Sequence, residues 1–265
     1  MQFSFDHLVC FSKKPEKAIS FLEQKGIHAV MGGRHEFWGT YNTLAYFGLS
    51  YIEFLGIENL SMAEQQDDNR LITQIVEQLS TGKQEGPARI AIRTDGIKQL
   101  AITLREEGYQ VYGPLPGERI RADGQIIRWS LLFPENKDKE LTLPFFIQWE
   151  KPDKERLLEL EEQGVIGTTQ FESVGIVVNN LDQTITKWGK LFKLNPGEEF
   201  IDRTLNARCR KLELQGVMLM FYTPLGEGPA EKALKERGET PFLVNLSGTH
   251  QSDLFEMLNG FWWFQ

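Results

Sequence analysis

Apolar and polar residues alternate along Phe3-Ser-Phe-Asp-His-Leu-Val-Cys-Phe11, a period of two that predicts a β-strand. Pro15 stands where a first-turn proline belongs, and Ala18, Ile19 and Leu22 recur at helical spacing up to a stop at Gly26. Strand patterns follow at Ile27 to Met31, Thr43 to Phe47 and Tyr51 to Leu55, the last two linked by a hairpin at Gly48-Leu-Ser50. The predicted order is β-α-β-β-β.

That order returns. Ala88 to Thr94 reads as a strand and Ile97 to Glu107 as a helix closed by Gly108. Gln110 to Tyr112, Ile126 to Phe133 and Leu143 to Trp149 complete the second unit, with Pro114, Pro116 and Gly117 as an interruption. A third unit starts at Phe171 and runs to Tyr222. A partial fourth begins at Pro241, continues into a helix expected around Ser252 to Leu258, and stops at Phe261-Trp-Trp-Phe264. The fold class expected is α+β, with repeated βαβββ modules forming curved mixed sheets. One such module cannot cover both faces of its own sheet, so pairing is expected. Two amphipathic helices, Asn69 to Leu79 and Asp153 to Glu162, lie outside the repeat. The second is dense in charge and predicts a boundary, with residues 1–152 in one domain and 165–265 in another.

Composition narrows the function classes. A net charge of −8 argues against a broad nucleic-acid or anionic-lipid surface, although Arg119, Arg121 and Arg128 form a local basic segment. No apolar run is long enough for a membrane span, and Met1 leads directly into the first strand pattern, so a cytoplasmic location is expected. Cys10 and Cys209 read as reduced core thiols. No phosphate loop, nucleophile elbow or Cys-x-x-Cys occurs, and no nucleotide cofactor is expected. His28 and His250 read as peripheral.

The unit opened by Phe5-Asp-His-Leu-Val9 and closed by Tyr51-Ile-Glu-Phe-Leu55 resembles the vicinal-oxygen-chelate superfamily. It is most similar to bacterial glyoxalase-like proteins with a Gly-Gly-Arg-His…Gly-Thr-x-Asn segment after the first helix, here Gly32 to Asn42. The resemblance covers roughly residues 3 to 150. It implies two modules paired into a glyoxalase/bleomycin-resistance-like cup. In many members that cup holds one divalent metal through His or Glu of the first and last strands.

Strand parity places Phe3, Phe5, His7, Val9 and Phe11 on one face, and Glu53 on a face with Tyr51 and Leu55. A carboxylate within such an apolar run requires pairing, hydrogen bonds or a metal, so Glu53 is the most informative residue. Alignment of the units sets His7 opposite Arg89 and Ser173, and Glu53 opposite Gln148 and Met220. The expected cup is therefore lined by His7, Glu53, Arg89 and Gln148, with the third unit structural or forming a second, non-catalytic cup. A metal would use His7, Glu53 and Gln148, because the Arg89 guanidinium stays protonated and cannot ligate. The rival arrangement has Arg89 neutralise Glu53 with no metal.

The segment Met31 to Asn42 is a poor strand and a poor helix by composition. It is expected to link the second and third strands at the edge of the cup, with His35 as a further acid-base group or ligand. Trp38 would serve as a lid, with Thr40 and Asn42 in turn and strand-edge roles. Arg119 and Arg121 together suit a carboxylate or phosphate, and Trp129 falls on the face opposite Arg128. Two readings result: a binding protein for a small anionic or aromatic molecule, or, as the resemblance implies, a metal-dependent lyase, isomerase or dioxygenase acting on vicinal oxygens, with His7, Glu53 and His35 as its catalytic groups. The aromatic C-terminus reads as a hydrophobic plug or a homodimer contact.

Overall fold

A computed structural model describes residues 1–80, 85–121, 123–136, 143–248 and 252–265; His250 lies outside them. The first unit comprises β1 (Phe3–Phe11), α1 (Lys17–Glu23), β2 (Val30–His35), β3 (Thr40–Phe47) and β4 (Ser50–Ile57). After α2 (Leu60–Ala63) and α3 (Arg70–Ser80), the second unit comprises β5 (Gly86–Thr94), α4 (Ile97–Glu106), β6 (Gln110–Ile120), β7 (Ile126–Glu135) and β8 (Phe145–Trp149). These eight strands close into a barrel in the order β1-β4-β3-β2-β6-β7-β8-β5. The expected cup is thus a closed barrel of two modules. The modules meet along the long β1–β5 ladder on one side, and on the other through a single β2–β6 pair, Arg34 with Ile120. Gly33 permits that narrow seam, since a Cβ there would lie 2.3 Å from the Ile120 carbonyl oxygen.

Following α5 (Asp153–Glu162), the chain forms β9 (Gln170–Val177), α6 (Leu181–Phe192), β10 (Phe200–Asp202), β11 (Ala207–Glu213) and β12 (Met218–Pro224). Then come α7 (Pro229–Arg237), β13 (Thr240–Ser247), β14 (Asp253–Met257) and β15 (Gly260–Phe264). This second sheet has the order β10-β11-β12-β9-β13-β15-β14 and does not close. Ala230 and Ala233 of α7 pack with Phe242 and Tyr222, so a helix fills the place that a partner module fills in the barrel. The segment expected to be helical near Ser252 is instead β14, because its residues pair edge to edge with the aromatic β15. Trp262 and Phe264 of β15 are fully buried, which makes the C-terminal aromatics a plug.

Three further details depart from sequence expectation. β2 extends to His35, so most of Met31 to Asn42 is strand, with only residues 36–39 as turn. β6 continues through Pro114 and Pro116 because its register shifts between Tyr112 and Leu115, and a bulge tolerates proline. In β1 the register also shifts between Phe5 and His7. That bulge places Asp6 and His7 together on the barrel interior and turns Phe5, Leu8 and Cys10 outward into the core shared with the second sheet. The single face expected for Phe3, Phe5 and His7 is corrected accordingly.

The two helices outside the repeat stopper the barrel. Leu71, Ile72 and Ile75 of α3 pack with Val9, Leu55 and Phe145 at one end. Leu160 of α5, followed by Val165 and Ile166, packs on Leu44, Tyr46 and Tyr51 at the other. One core cluster spans both sheets, with the Phe5 and Phe171 rings 5.3 Å apart edge to face. Phe5→Ala should therefore destabilise the protein by about 3–5 kcal/mol, the usual range for a buried phenylalanine. Because the core is continuous, denaturant unfolding should show one transition for both sheets, and two separate transitions would contradict a shared core.

Candidate functional site

Between the two stoppers the barrel lines a pocket of about 430 Å³, part of it open to solvent. Its apolar wall includes Leu55, Leu71, Ile72, Leu131, Phe145 and Ile147, and its polar side chains other than tryptophan come from β1, β2, β3, β4 and β6. The β1 bulge supplies the first of them. Asp6 is completely buried; its Oδ1 lies 2.7 Å from His7 Nδ1, and its Oδ2 accepts from Arg93 at 3.0 Å and from Trp149 Nε1 at 2.9 Å. Burial alone would raise the Asp6 pKa. The His7 hydrogen bond and the Arg156 and Arg93 charges outweigh it and hold the carboxyl well below the usual carboxylate range. A carboxylate fixed as acceptor makes Nδ1 of His7 the donor, which leaves Nε2 turned toward Glu53, 3.5 Å from its Oε2. Tyr51 stacks on the imidazole at 4.4 Å and keeps it in plane.

Glu53 projects from β4 into the cavity, as parity predicts, and is buried. Its Oε1 accepts from Asn42 Nδ2 at 2.6 Å. Asn42 is therefore a site residue rather than a turn or edge residue, and its own Oδ1 is buried without a partner. Thr40, likewise expected at an edge, meets His35 Nδ1 at 2.9 Å. Burial and, secondarily, the Arg119 charge push the His35 pKa down to about 3, so its ring is neutral and a weak base near neutral pH.

Arg119 on β6 reaches inward, is only 7% exposed, and donates from one terminal nitrogen to Tyr46 Oη at 3.0 Å. Its Nε is buried with no partner, and among the described residues no carboxylate lies within ion-pair distance of it. Burial opposes its charge, while Tyr46, Tyr51 and Glu53 nearby favour it, and the net direction is upward. Three indoles complete the wall. Trp38, Trp129 and Trp149 form a row, with centroids 5.9 Å and 5.4 Å apart between successive rings. Gly117 makes the first contact possible, since a Cβ there would lie 2.4 Å from Trp38 and 2.5 Å from Trp129.

His7, Glu53, His35, Trp38, Arg119 and Trp129 thus line one cavity, while three other sequence-based candidates lie elsewhere. Gln148 faces outward and accepts from the Ile97 amide at the start of α4. Parallel ladders pair His7 with Tyr51 and Ala91 with Phe145, so Glu53 corresponds to Ile147, and a one-residue slip in the unit alignment reverses the face. Arg89 donates to Gln74 of α3 beyond the cavity's lining and does not pair with Glu53. Arg121 pairs with Asp123 at the barrel's end. Asp6, Asn42, Tyr46, Tyr51 and Trp149 are additional site residues. The signal for Asp6 was an acidic residue inside an otherwise apolar strand, the same signal that singled out Glu53.

A divalent metal, which the resemblance implies, does not fit this donor set. His7 Nε2 and Glu53 Oε2 are two strong donors, the third expected ligand points away, and a buried guanidinium shares the cavity. No three His, Cys, Asp or Glu side chains converge among the described residues.

The depressed His35 pKa has a sign that can be checked. Between about pH 6.5 and pH 3 the unfolded chain binds a proton on His35 that the folded chain does not, so this group's contribution is complete above 6.5 and is lost on acidification. His35→Gln should shrink the loss of urea midpoint between pH 7 and pH 5 relative to the parent. An unchanged difference would count against a buried neutral ring.

Comparison with solved structures gives a hypothetical protein from Staphylococcus aureus, aligned over 99% of each chain with a TM-score of 0.79 and 22% identity. A mutant of 4-hydroxymandelate synthase from Streptomyces coelicolor aligns over 93% of this chain and 71% of that one, with a TM-score of 0.58 and 12% identity. At these identities the likeness is one of fold. A search of the curated proteins finds no match. The family model for the glyoxalase-like domain matches residues 5–192, from β1 through both barrel modules to the end of α6, and the chain belongs to that family.

Proposed function

We propose that this protein binds a small, flat organic anion inside the barrel. The observation that carries the reading is Arg119, a buried guanidinium with an unpartnered Nε at the wall of an aromatic cavity. A buried charge without a counterion costs several kcal/mol, and a carboxylate delivered by a ligand offsets that cost with charge-assisted hydrogen bonds. The indoles of Trp38, Trp129 and Trp149 supply flat apolar surface for a ring or conjugated chain. Glu53 lines the same space and accepts hydrogen bonds, so a ligand that carries a hydroxyl or amide N–H besides its carboxylate matches both groups. Where many cups of this fold use a metal ion for positive charge, the chain here supplies its own. A metal-dependent reaction has no comparable support from the donor set.

Mandelate and its neutral amide differ in charge alone and serve as probes, with the cavity's tryptophans reporting by fluorescence. Mandelate should quench saturably and the amide should bind far more weakly. Arg119→Met should reduce mandelate affinity on the order of 10- to 100-fold, from about 1.5–3 kcal/mol for a hydrogen bond to a charged group. Equal binding of acid and amide, or an indifferent Arg119→Met, would remove the basis of this reading. Protein prepared without a histidine tag and supplied with Mg²⁺, Mn²⁺ and Zn²⁺ should retain well below one equivalent of metal by elemental analysis. A full equivalent, lost in Glu53→Gln, would restore the metal centre.

A further inference from the structure

A second cavity of about 600 Å³ lies on the other side of Arg119, between the outer ends of β6 and β7 and the stopper α5. It shares Tyr51, Arg119 and Trp149 with the barrel cavity, so those three side chains form a partition with space on both sides. The charge on its walls is opposite to that of the molecule. Arg119, Arg121, Arg128, Lys151 and Arg156 line it against Glu150 and Glu159, in a chain of net charge −8. Two of these cations are built into the wall rather than waving in solvent. The Arg121 side chain is 16% exposed, and Arg156, 10% exposed, lies flat over Trp149 at 4.0 Å. Apolar surface from Ile126, Ile127 and Leu160 separates the cations.

We propose that this vestibule is a second subsite, for an acidic group two or three bonds beyond the one that meets Arg119. The ligand class is then a flat head with two separated anionic groups, the inner on Arg119 and the outer among Arg121 and Lys151. This deepens, and rests on, the anion-binding reading of the barrel cavity. Arg119 borders both spaces and donates to Tyr46, so an inner carboxylate on Arg119 leaves the outer cations for a second acidic group. Arg156 is committed to Asp6 and Asp153 and shapes the wall, whereas Arg121 holds Asp123 and, at 3.4 Å, Gln125, and Lys151 pairs with Glu159. The carboxylates of both partners are partly exposed, Asp123 at 45% and Glu159 at 33%, so each can turn to solvent when a ligand's acidic group takes its place.

Three probes with one aromatic head test the proposal by calorimetry: N-benzoylglycine, N-benzoyl-L-glutamate and its isosteric amide N-benzoyl-L-glutamine. Benzoylglutamate should bind at least tenfold tighter than benzoylglutamine. An Arg121→Gln/Lys151→Gln double variant should abolish that preference while leaving benzoylglycine affinity unchanged, which also shows that the variant is folded. Equal affinities for the glutamate and glutamine compounds, or a preference that survives in the double variant, would overturn the subsite alone. Failure of benzoylglycine to bind the parent protein would overturn the anion-binding reading and the subsite with it.

Discussion

The carboxylate of Asp6 is the point on which the site depends. It sits at a bulge in the strand that joins the two barrel modules, and it accepts from the imidazole of His7 in the same strand, from Arg93 in β5 and from Trp149 in β8. Arg156 of α5 stands 3.9 Å away and stacks on the same indole. One buried group thus ties the module junction to the last barrel strand and to the helix that closes the barrel's end. A buried carboxylate is tolerable only when its oxygens are occupied, and here the occupants are the side chains that shape the cavity wall. The bulge is what allows it. Without the register shift, Asp6 and His7 would point to opposite faces of the strand, and the Asp6–His7 pair could not form inside the barrel.

Closure of the barrel follows from the same arrangement. Two modules brought together along β1 and β5 leave a tube with two open ends and a narrow seam. The chain covers the ends with the helices that follow each module, α3 and α5. Apolar residues of α3 complete the cavity floor, whereas α5 brings Arg156 and Leu160 to the other end and leaves room beside them. The second sheet faces the same problem with only part of a fourth module, and α7 fills the gap with Ala230 and Ala233, small enough to lie close to the sheet.

Much of this was legible in the sequence, because periodicity and punctuation are local properties. The strand Phe3–Phe11 and the helix Asp153–Glu162 coincide with their patterns, and the inward direction of Glu53 follows from parity within one strand. What failed depends on relations between strands. Parity across Phe5 to His7 is broken by a bulge that only the partner strand imposes. Gln148 was taken for the equivalent of Glu53 through an alignment one residue out, which in a strand exchanges inside for outside. The helix expected near Ser252 lost to edge pairing with β15, where tertiary context overrides a short local pattern. Thr40 and Asn42 looked like turn residues by type, but their hydrogen-bond partners, His35 and Glu53, become neighbours only when β2, β3 and β4 pair.

Charge accounting across the barrel interior explains why Arg119 stands out among its arginines. Arg93 and Arg156 are matched by Asp6 and Asp153, and Glu53 is held by Asn42 and faced by His7. Arg89 leans on the Gln74 amide and approaches the Phe145 ring at 6.0 Å. Arg119 has one phenol. The strands around it offer Tyr46 and Tyr51 where a carboxylate would have been the direct solution, and Glu53, whose charge favours the guanidinium, is engaged with Asn42. Arg89 and Arg119 both lack a carboxylate in contact and both bury an unpartnered Nε, but Arg119 alone of the two lines the barrel space, which is why the anion-binding proposal rests on it.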